Sequence, residues 1–307
     1  MRNVNELKMK KISWINVTQP GKAQMDYLAK KFNLNKEDII DVLPPIQRMK
    51  MIERQKYLFL IIHFPVYNRI NGDIYTEEID FFIMKNTLIT VHGNKTPIIQ
   101  KIFASCSAKP SQKMCDHPGL ILYEILTELF NYCFPMLRHI NMDIEEVEDM
   151  LFYNKKYEKK ETVEQTLRIK TNIFDFQRSI RSHGYVLEKF VEKSKKYITR
   201  QNDRNKFLEL IEYAKEINMS LESYKDAINA LHQANSTLVD YRVNQVTKVL
   251  TIIATITFPL SLIATAFGIG AEGTPLVHTA WGFWKISALL MSGALSMLVL
   301  FRWRRWI

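Results

Sequence analysis

Two long apolar runs near the carboxyl end of this 307-residue chain constrain its fold more than any other feature. The first run covers residues 249–269, and the second covers residues 283–301, where Lys285 is the only charged residue. Each run has about 20 residues, and a helix rises about 1.5 Å per residue, so each run can cross a hydrocarbon core of roughly 30 Å. The sequence before residue 240 is rich in charged residues. We therefore predict a large water-facing domain joined to two transmembrane helices.

The positive charges predict how these two helices are oriented. Arg302, Arg304 and Arg305 follow the second run, and Arg242 and Lys248 precede the first, whereas the loop between the runs has no lysine or arginine. Because lysine and arginine favour the cytoplasmic side of a membrane, we expect both termini inside and the loop outside. The start of the chain has no apolar stretch typical of a signal peptide. These features predict a two-pass protein of the cytoplasmic (inner) membrane.

Composition and motifs argue against several other classes of protein. The net charge of +10 is compatible with nucleic-acid binding, but no nucleic-acid-binding motif is present, and a basic face toward the cytoplasm explains the charge more simply. The spacing of Ser, His and Asp suggests no catalytic triad, and there is no phosphate-binding loop. We therefore expect no enzyme, no catalytic residues and no organic cofactor. Neither a disulfide framework nor a zinc site is predicted from Cys106, Cys115 and Cys133.

The pattern before the apolar runs predicts an α+β domain, with a small mixed sheet flanked by helices. Strands are predicted at residues 11–17, 57–65, 77–85 and 87–92, with a hairpin turn at residues 71–73. Helices are predicted at residues 21–32, at 36–42 after an N-cap at Asn35, at 120–152 and at 161–197. Pro135 could break the third of these helices.

A very long helix is predicted next, because no glycine or proline occurs between Asn205 and Pro259. It would continue from about residue 205 into the first apolar run. A heptad seam, at which we expect self-association, consists of Leu221, Tyr224, Ile228, Leu231 and Leu238.

The sequence NQVTKVLTIIATI from Asn244 to Ile256, followed by Pro259-Leu260-Ser261, resembles the first membrane helix of CorA-type divalent-cation transporters. The basic and aromatic tail, FRWRRWI, and the strand sequences FLIIHFPVY and LITVH are similar to that family as well. The resemblance implies a homopentameric funnel, in which the long helices line one pore and the second membrane helices form an outer ring. It also implies passive transport of hydrated Mg²⁺, with Co²⁺ or Ni²⁺ as further cargo, and a regulatory Mg²⁺ bound between subunits. The implied partners are further copies of the chain, the lipid bilayer and hydrated divalent cations.

Helical spacing places one set of residues on a common face of the first membrane helix. On a fivefold axis, Leu250 and Phe258 would form apolar constrictions, which can gate by dewetting. Rings of hydroxyl and amide groups suit Mg²⁺, which gives up its water reluctantly. The alternative is a polar stripe that only packs or bonds to its own backbone. The predicted pore-lining residues are Asn244, Thr247, Leu250, Ala254, Phe258, Ser261 and Thr265.

The resemblance is incomplete at the outer mouth and on the stalk. The family's Gly-Met-Asn selectivity motif aligns with Gly268, Ile269 and Gly270, so the key amide is missing. Glu272 could concentrate cations beside this motif. These departures keep open two alternatives, a non-conducting metal sensor or scaffold anchored in the membrane, and a ZntB-like Zn²⁺ transporter.

On the stalk, Gln233 occupies a position where the family commonly has an acid. The remaining weak candidates for a regulatory metal site are therefore Asp226 and Asp240. We expect the chain to divide into a cytoplasmic domain (1–204), a stalk helix (205–247), a pore-lining helix (248–269), an external loop (270–282), a second membrane helix (283–301) and a basic cytoplasmic tail (302–307).

Overall fold

A computed structural model of the chain describes residues 3–9, 11–93, 97–108, 116–152, 159–269, 274–276, 279, 281–304 and 306. The strands are β1 (Val4–Lys8), β2 (Ser13–Thr18), β3 (Lys50–Glu53), β4 (Leu58–Asn68), β5 (Asp73–Ile83) and β6 (Thr87–His92). The helices are α1 (Lys22–Phe32), α2 (Lys36–Asp41), α3 (Pro97–Ala108), α4 (Pro118–Phe152), α5 (Lys159–Ile180), α6 (His183–Lys193), α7 (Gln201–Gly268) and α8 (Gly282–Trp303), with a short 3₁₀ helix at Ser194–Lys196. The chain forms two compact units, residues 1–232 and 233–307, and α7 contributes to both.

The six strands form one mixed sheet in the order β1-β2-β6-β5-β4-β3. The β2–β6 pair is parallel, and the other neighbouring pairs are antiparallel. The predicted hairpin joins β4 to β5, and Gly72 adopts a φ of 73° in its turn, a conformation that favours glycine. The predicted mixed sheet is therefore confirmed, whereas the edge strands β1 and β3 were not predicted.

Strand β4 is apolar along most of its length because both of its faces are buried. Leu58, Leu60 and Ile62 point into the larger core, which α4, α5, α6 and the first part of α7 complete. Phe59 and Ile61 point into a smaller core under α1 and α2. The N-cap of α2 is Asn35, as predicted, since its Oδ1 accepts a hydrogen bond from the Glu37 amide at 3.0 Å.

The helices differ from the predictions at three places, and the first is α3, which was not predicted. Helix α4 continues through Pro135 without a break. The single helix predicted at 161–197 is wrong, because α5 ends at Ile180 and α6 begins at His183. The buried imidazole of His183 stabilises this break, since its Nδ1 donates a hydrogen bond to the Ile180 carbonyl oxygen at 2.9 Å. The charged run from residue 155 to 160 lies largely outside the described residues.

Helix α7 confirms the very long helix, with 68 residues. It begins at Gln201, slightly before the predicted start. The prediction that its heptad seam serves self-association is wrong for Leu221 and Ile228, because both are fully buried in the core of residues 1–232. Tyr224 and Leu231 pack against the same core. This part of the seam attaches the helix to its own domain.

Candidate functional site

Three helices in the described part of the chain are long and apolar enough to span a membrane, namely α4, α7 and α8. Half of the most apolar window of α4 is buried, because this helix supplies much of the larger core. In α7 and α8 the corresponding buried shares are 6% and 0%. Apolar surface that the chain itself does not cover needs another apolar environment, which a bilayer provides. Burial therefore separates the two predicted membrane helices from the core helix.

One face of α7 is covered within residues 233–307. Ile252 is only 8% exposed, and the half-buried positions Ile256, Leu260 and Phe267 follow it at helical spacing. Helix α8 approaches this face closely at Gly293, where an added Cβ would lie 3.2 Å from Leu260 Cδ2. Small residues allow such close approach of membrane helices. The covered face of α7 is therefore the one that contacts α8.

Helix α8 also carries a row of small residues at intervals of four, a pattern that favours packing between membrane helices. Ala288, Ser292 and Ser296 are exposed, whereas Gly293 and Ala294 beside them are half-buried. The hydroxyls of Ser292 and Ser296 each donate to a carbonyl oxygen of their own helix at 2.8 Å. The close contact with α7 is thus made at Gly293, beside this row.

From Leu250 to Thr265, the predicted pore-lining residues occupy the side of α7 that faces away from α8. At roughly 100° per residue, their stripe lies almost opposite the covered stripe of Ile252, Ile256 and Leu260. Leu250 is 61% exposed and Phe258 is 73% exposed. The other exposed members are Asn244, Thr247, Ser261 and Thr265, while the small Ala254 is half-buried.

The hydroxyl groups on this exposed face also bond locally. The Thr265 hydroxyl donates to the Ser261 carbonyl oxygen at 2.8 Å. A hydroxyl that donates one hydrogen bond still has lone pairs with which to accept another. Backbone bonding and contact with the water shell of an ion are therefore compatible at this position.

The selectivity motif is described only in part. Helix α7 ends at Gly268, and the following Ile269 is 73% exposed. A Cβ at Gly268 would meet no atom within 4 Å, so this glycine stands in open space within the single chain. Gly270 and Glu272 lie outside the described residues.

The candidate metal ligands on the stalk do not form a cluster. Asp226 and Asp240 are both exposed on α7, as is Gln233. In the described part of the chain, no three His, Cys, Asp or Glu side chains are grouped so that they could hold a metal ion. A metal site built from one chain is therefore not visible there, and a regulatory site between copies stays a prediction.

One open cavity at the end of α8 was not predicted. The backbone N–H of Trp306 donates to the Phe301 carbonyl oxygen at 2.9 Å, and the two rings stack with centroids 5.7 Å apart. This turn brings Trp306 back against α7, where it lines a cavity of about 280 Å³ together with Asn244, Thr247, Lys248 and Thr251. The basic and aromatic tail was the sequence signal for it, but the backward turn could not be read from residue order.

Comparison with known proteins agrees with this architecture. The cobalt/magnesium transport protein CorA of Methanocaldococcus jannaschii is 25% identical over 300 residues, covering 97% of this chain and 92% of that protein. The complete structure of the CorA magnesium transporter from Methanocaldococcus jannaschii matches with a TM-score of 0.85 at 22% identity, covering 99% of this chain and 94% of that chain. The ZntB cytoplasmic domain of Vibrio parahaemolyticus matches with a TM-score of 0.63 at 14% identity, covering 76% of this chain and 90% of that chain.

These matches confirm the predicted fold class, an α+β domain with a mixed sheet, followed by a long helix and a second membrane helix. The family described as CorA-like Mg2+ transporter protein matches residues 9–305, which is nearly the whole chain. The chain therefore belongs to the CorA-like Mg²⁺ transporter family.

Proposed function

We propose that this protein is a homopentameric channel that carries divalent cations, and Mg²⁺ first, across the cytoplasmic membrane. The observation that supports it best is the arrangement of α7, where α8 covers one face and the opposite face exposes the predicted pore-lining residues. Five such faces around one axis would enclose a pore, with α8 of each copy on the outside. The relatives named above as cobalt or magnesium transporters support the choice of cargo.

In this proposal, residues 248–269 line the pore and residues 205–247 extend it into the cytoplasm. Rings of Leu250 and Phe258 form its narrow, apolar points, which close by dewetting. Hydroxyl rings from Ser261 and Thr265 contact the water shell of the ion, because Mg²⁺ keeps its water. The ion moves down its electrochemical gradient, with both termini inside, and no organic cofactor takes part.

The outer mouth departs from the family pattern. With glycine at position 270, only backbone carbonyl oxygens are available where an amide side chain would contact the hydrated ion. Such a mouth is wider and less selective, and Glu272 would raise the local cation concentration. We therefore expect Co²⁺ and Ni²⁺ to compete with Mg²⁺.

Transport is tested with the purified full-length protein in liposomes that contain a Mg²⁺-sensitive dye. Under an inside-negative potential, the protein should admit Mg²⁺ faster than empty liposomes do. Equal rates would contradict the proposal. The oligomer mass in detergent tests the pentamer independently.

The face assignment is tested by a matched pair of cysteine variants. Ser261→Cys places a thiol on the proposed pore face, and Ile256→Cys places one on the face covered by α8. A water-soluble thiol reagent should block transport in the first variant and leave the second unaffected. Block of both variants or of neither would contradict the assignment.

Two further experiments distinguish the channel from the two alternative functions. If wild type is silent and Gly270→Asn conducts, the protein is a non-conducting sensor or scaffold. If Zn²⁺ uptake depends on a pH gradient, the protein is a proton-coupled Zn²⁺ transporter, an alternative supported only by the fold shared with the ZntB domain.

A further inference from the structure

The cavity between α7 and the returning tail is lined by one basic and three polar side chains of α7 together with Trp306. Lys248 contributes an ammonium group, Asn244 an amide, and Thr247 and Thr251 hydroxyl groups. No described residue forms an ion pair with Lys248. Its charge is therefore available to a ligand that enters the cavity.

The surroundings of the cavity are also positive. Arg302 and Arg304 precede Trp306 by four and two residues, and both are exposed. Asp240 is the only acidic side chain described in residues 233–307. An anion at this end therefore meets mostly attractive charges.

The position of the cavity indicates which anion would reach it. Lys248 is the last charged residue before the first apolar run, and Trp306 closes the turn after the second. Lysine and tryptophan at such places lie at the level of the lipid headgroups. The cavity volume of about 280 Å³ lies just below the range of roughly 300–1,000 Å³ for ligand pockets, and the cavity is open to its surroundings, so a headgroup can enter it.

We propose that this cavity binds the phosphate of an anionic phospholipid headgroup, with Lys248 as its main charge partner and Trp306 packed against the glycerol region. The inference depends on the membrane placement in the proposed function. Two lining residues, Asn244 and Thr247, also lie at the inner end of the proposed pore face. A bound headgroup would therefore lie beside the inner mouth.

The proposal is tested by native mass spectrometry of the full-length protein in neutral detergent. Dioleoyl-phosphatidylglycerol and dioleoyl-phosphatidylcholine are titrated at the same ionic strength, and a dissociation constant is obtained for each. We expect phosphatidylglycerol to bind about tenfold more tightly, a difference of about 1.4 kcal/mol. Because the assay measures binding and not flux, a protein that fails to transport can still pass it.

Variants assign the preference to the cavity. Lys248→Gln should abolish the preference for phosphatidylglycerol. Lys248→Arg should keep that preference, which would show that the positive charge and not the lysine side chain itself is needed. Lys285→Gln removes one positive charge from the opposite end of α8 and should leave the preference unchanged.

The proposal would be overturned by equal binding of the two lipids, by an unchanged preference for phosphatidylglycerol in Lys248→Gln, or by an equal loss of that preference in Lys285→Gln. Inorganic phosphate separates the two sources of the anion. If millimolar phosphate displaces the bound lipid in wild type, the cavity takes free phosphate and the lipid assignment is wrong.

Discussion

The buried histidine at the start of α6 makes the stability of this protein sensitive to acid. His183 is fully buried, and its ring centroid lies 4.8 Å from that of Phe64 and 5.3 Å from that of Phe130. Burial among these rings lowers the pKa of His183 from 6.5 to about 3. The folded protein therefore keeps this imidazole neutral at pH values where the unfolded chain protonates it.

The sign of the effect follows from the lowered pKa. The stability that the neutral imidazole contributes is fully present above pH 6.5 and is lost progressively as the pH falls from 6.5 toward 3. Each pH unit in that window corresponds to about 1.4 kcal/mol, so about 2 kcal/mol is lost by pH 5. For a folding unit of roughly 150–250 residues this lowers the melting temperature by about 4–8 °C.

The measurement is thermal unfolding of the full-length protein in detergent, at pH 7.5 and pH 5.0. His183→Asn keeps a hydrogen-bond donor near the Ile180 carbonyl but cannot be protonated in this range. This variant should have a lower melting temperature than wild type at both pH values, because it leaves a cavity between the rings. The decrease in its melting temperature from pH 7.5 to pH 5.0 should nevertheless be about 4–8 °C smaller than that of wild type.

The exposed His139 supplies the control, since His139→Gln should melt with the same pH dependence as wild type. If the melting temperature of His183→Asn decreased between pH 7.5 and pH 5.0 as much as that of wild type, the reasoning would be refuted. It would mean that other groups produce the acid sensitivity.

Three further changes have definite expected outcomes. Asp80 is fully buried, its Oδ1 has no partner among the described residues, and burial raises its pKa well above the usual value. The stability of the protein therefore falls as the pH rises above about 4, so Asp80→Asn should raise the melting temperature more at pH 7.5 than at pH 4. Gly119→Val should lower the free energy of unfolding by about 1–3 kcal/mol in chemical denaturation, because a Cβ at Gly119 would lie only 2.5 Å from Ile198 Cδ1. An unchanged denaturation midpoint would show that Ile198 moves aside freely. Phe258→Ala should raise the initial rate of Mg²⁺ uptake into liposomes by removing the bulkiest ring of the proposed pore, and a rate equal to wild type would place the narrow point elsewhere.

Much of the fold could be predicted because its signals are local. The apolar run of β4, the turn at Gly72 and the N-cap at Asn35 each depend on a few neighbouring residues, and all three are confirmed. The edge strands β1 and β3 escaped prediction because they are short and mostly polar or half-buried. Hydrogen bonds to neighbouring strands hold them in the sheet, and the sequence of a single strand does not show which strand it will pair with.

The break between α5 and α6 depends on a contact that the sequence pattern does not show. Helical periodicity continues across residues 181 and 182, so the prediction extended one helix through them. The two helices separate because His183 folds back to bond the Ile180 carbonyl while its ring fills the space between Phe64 and Phe130. The tertiary position of that ring therefore stabilises the end of α5.

The assignment of the candidate pore face also depends on a tertiary contact that the sequence pattern does not show. The first membrane helix has two stripes with the same helical spacing, one that starts at Ile252 and one that starts at Leu250. Most residues of both stripes are apolar, so periodicity alone cannot show which stripe contacts α8. The close approach of Gly293 to Leu260 makes that assignment in the structure. If the hydroxyl stripe served only internal packing, we would expect it on the covered face, but Ser261 and Thr265 are on the exposed one. That exposure needs a further copy of the chain to become a pore, so a protein that is monomeric in detergent and in liposomes would leave Ser261 and Thr265 facing lipid and contradict the channel.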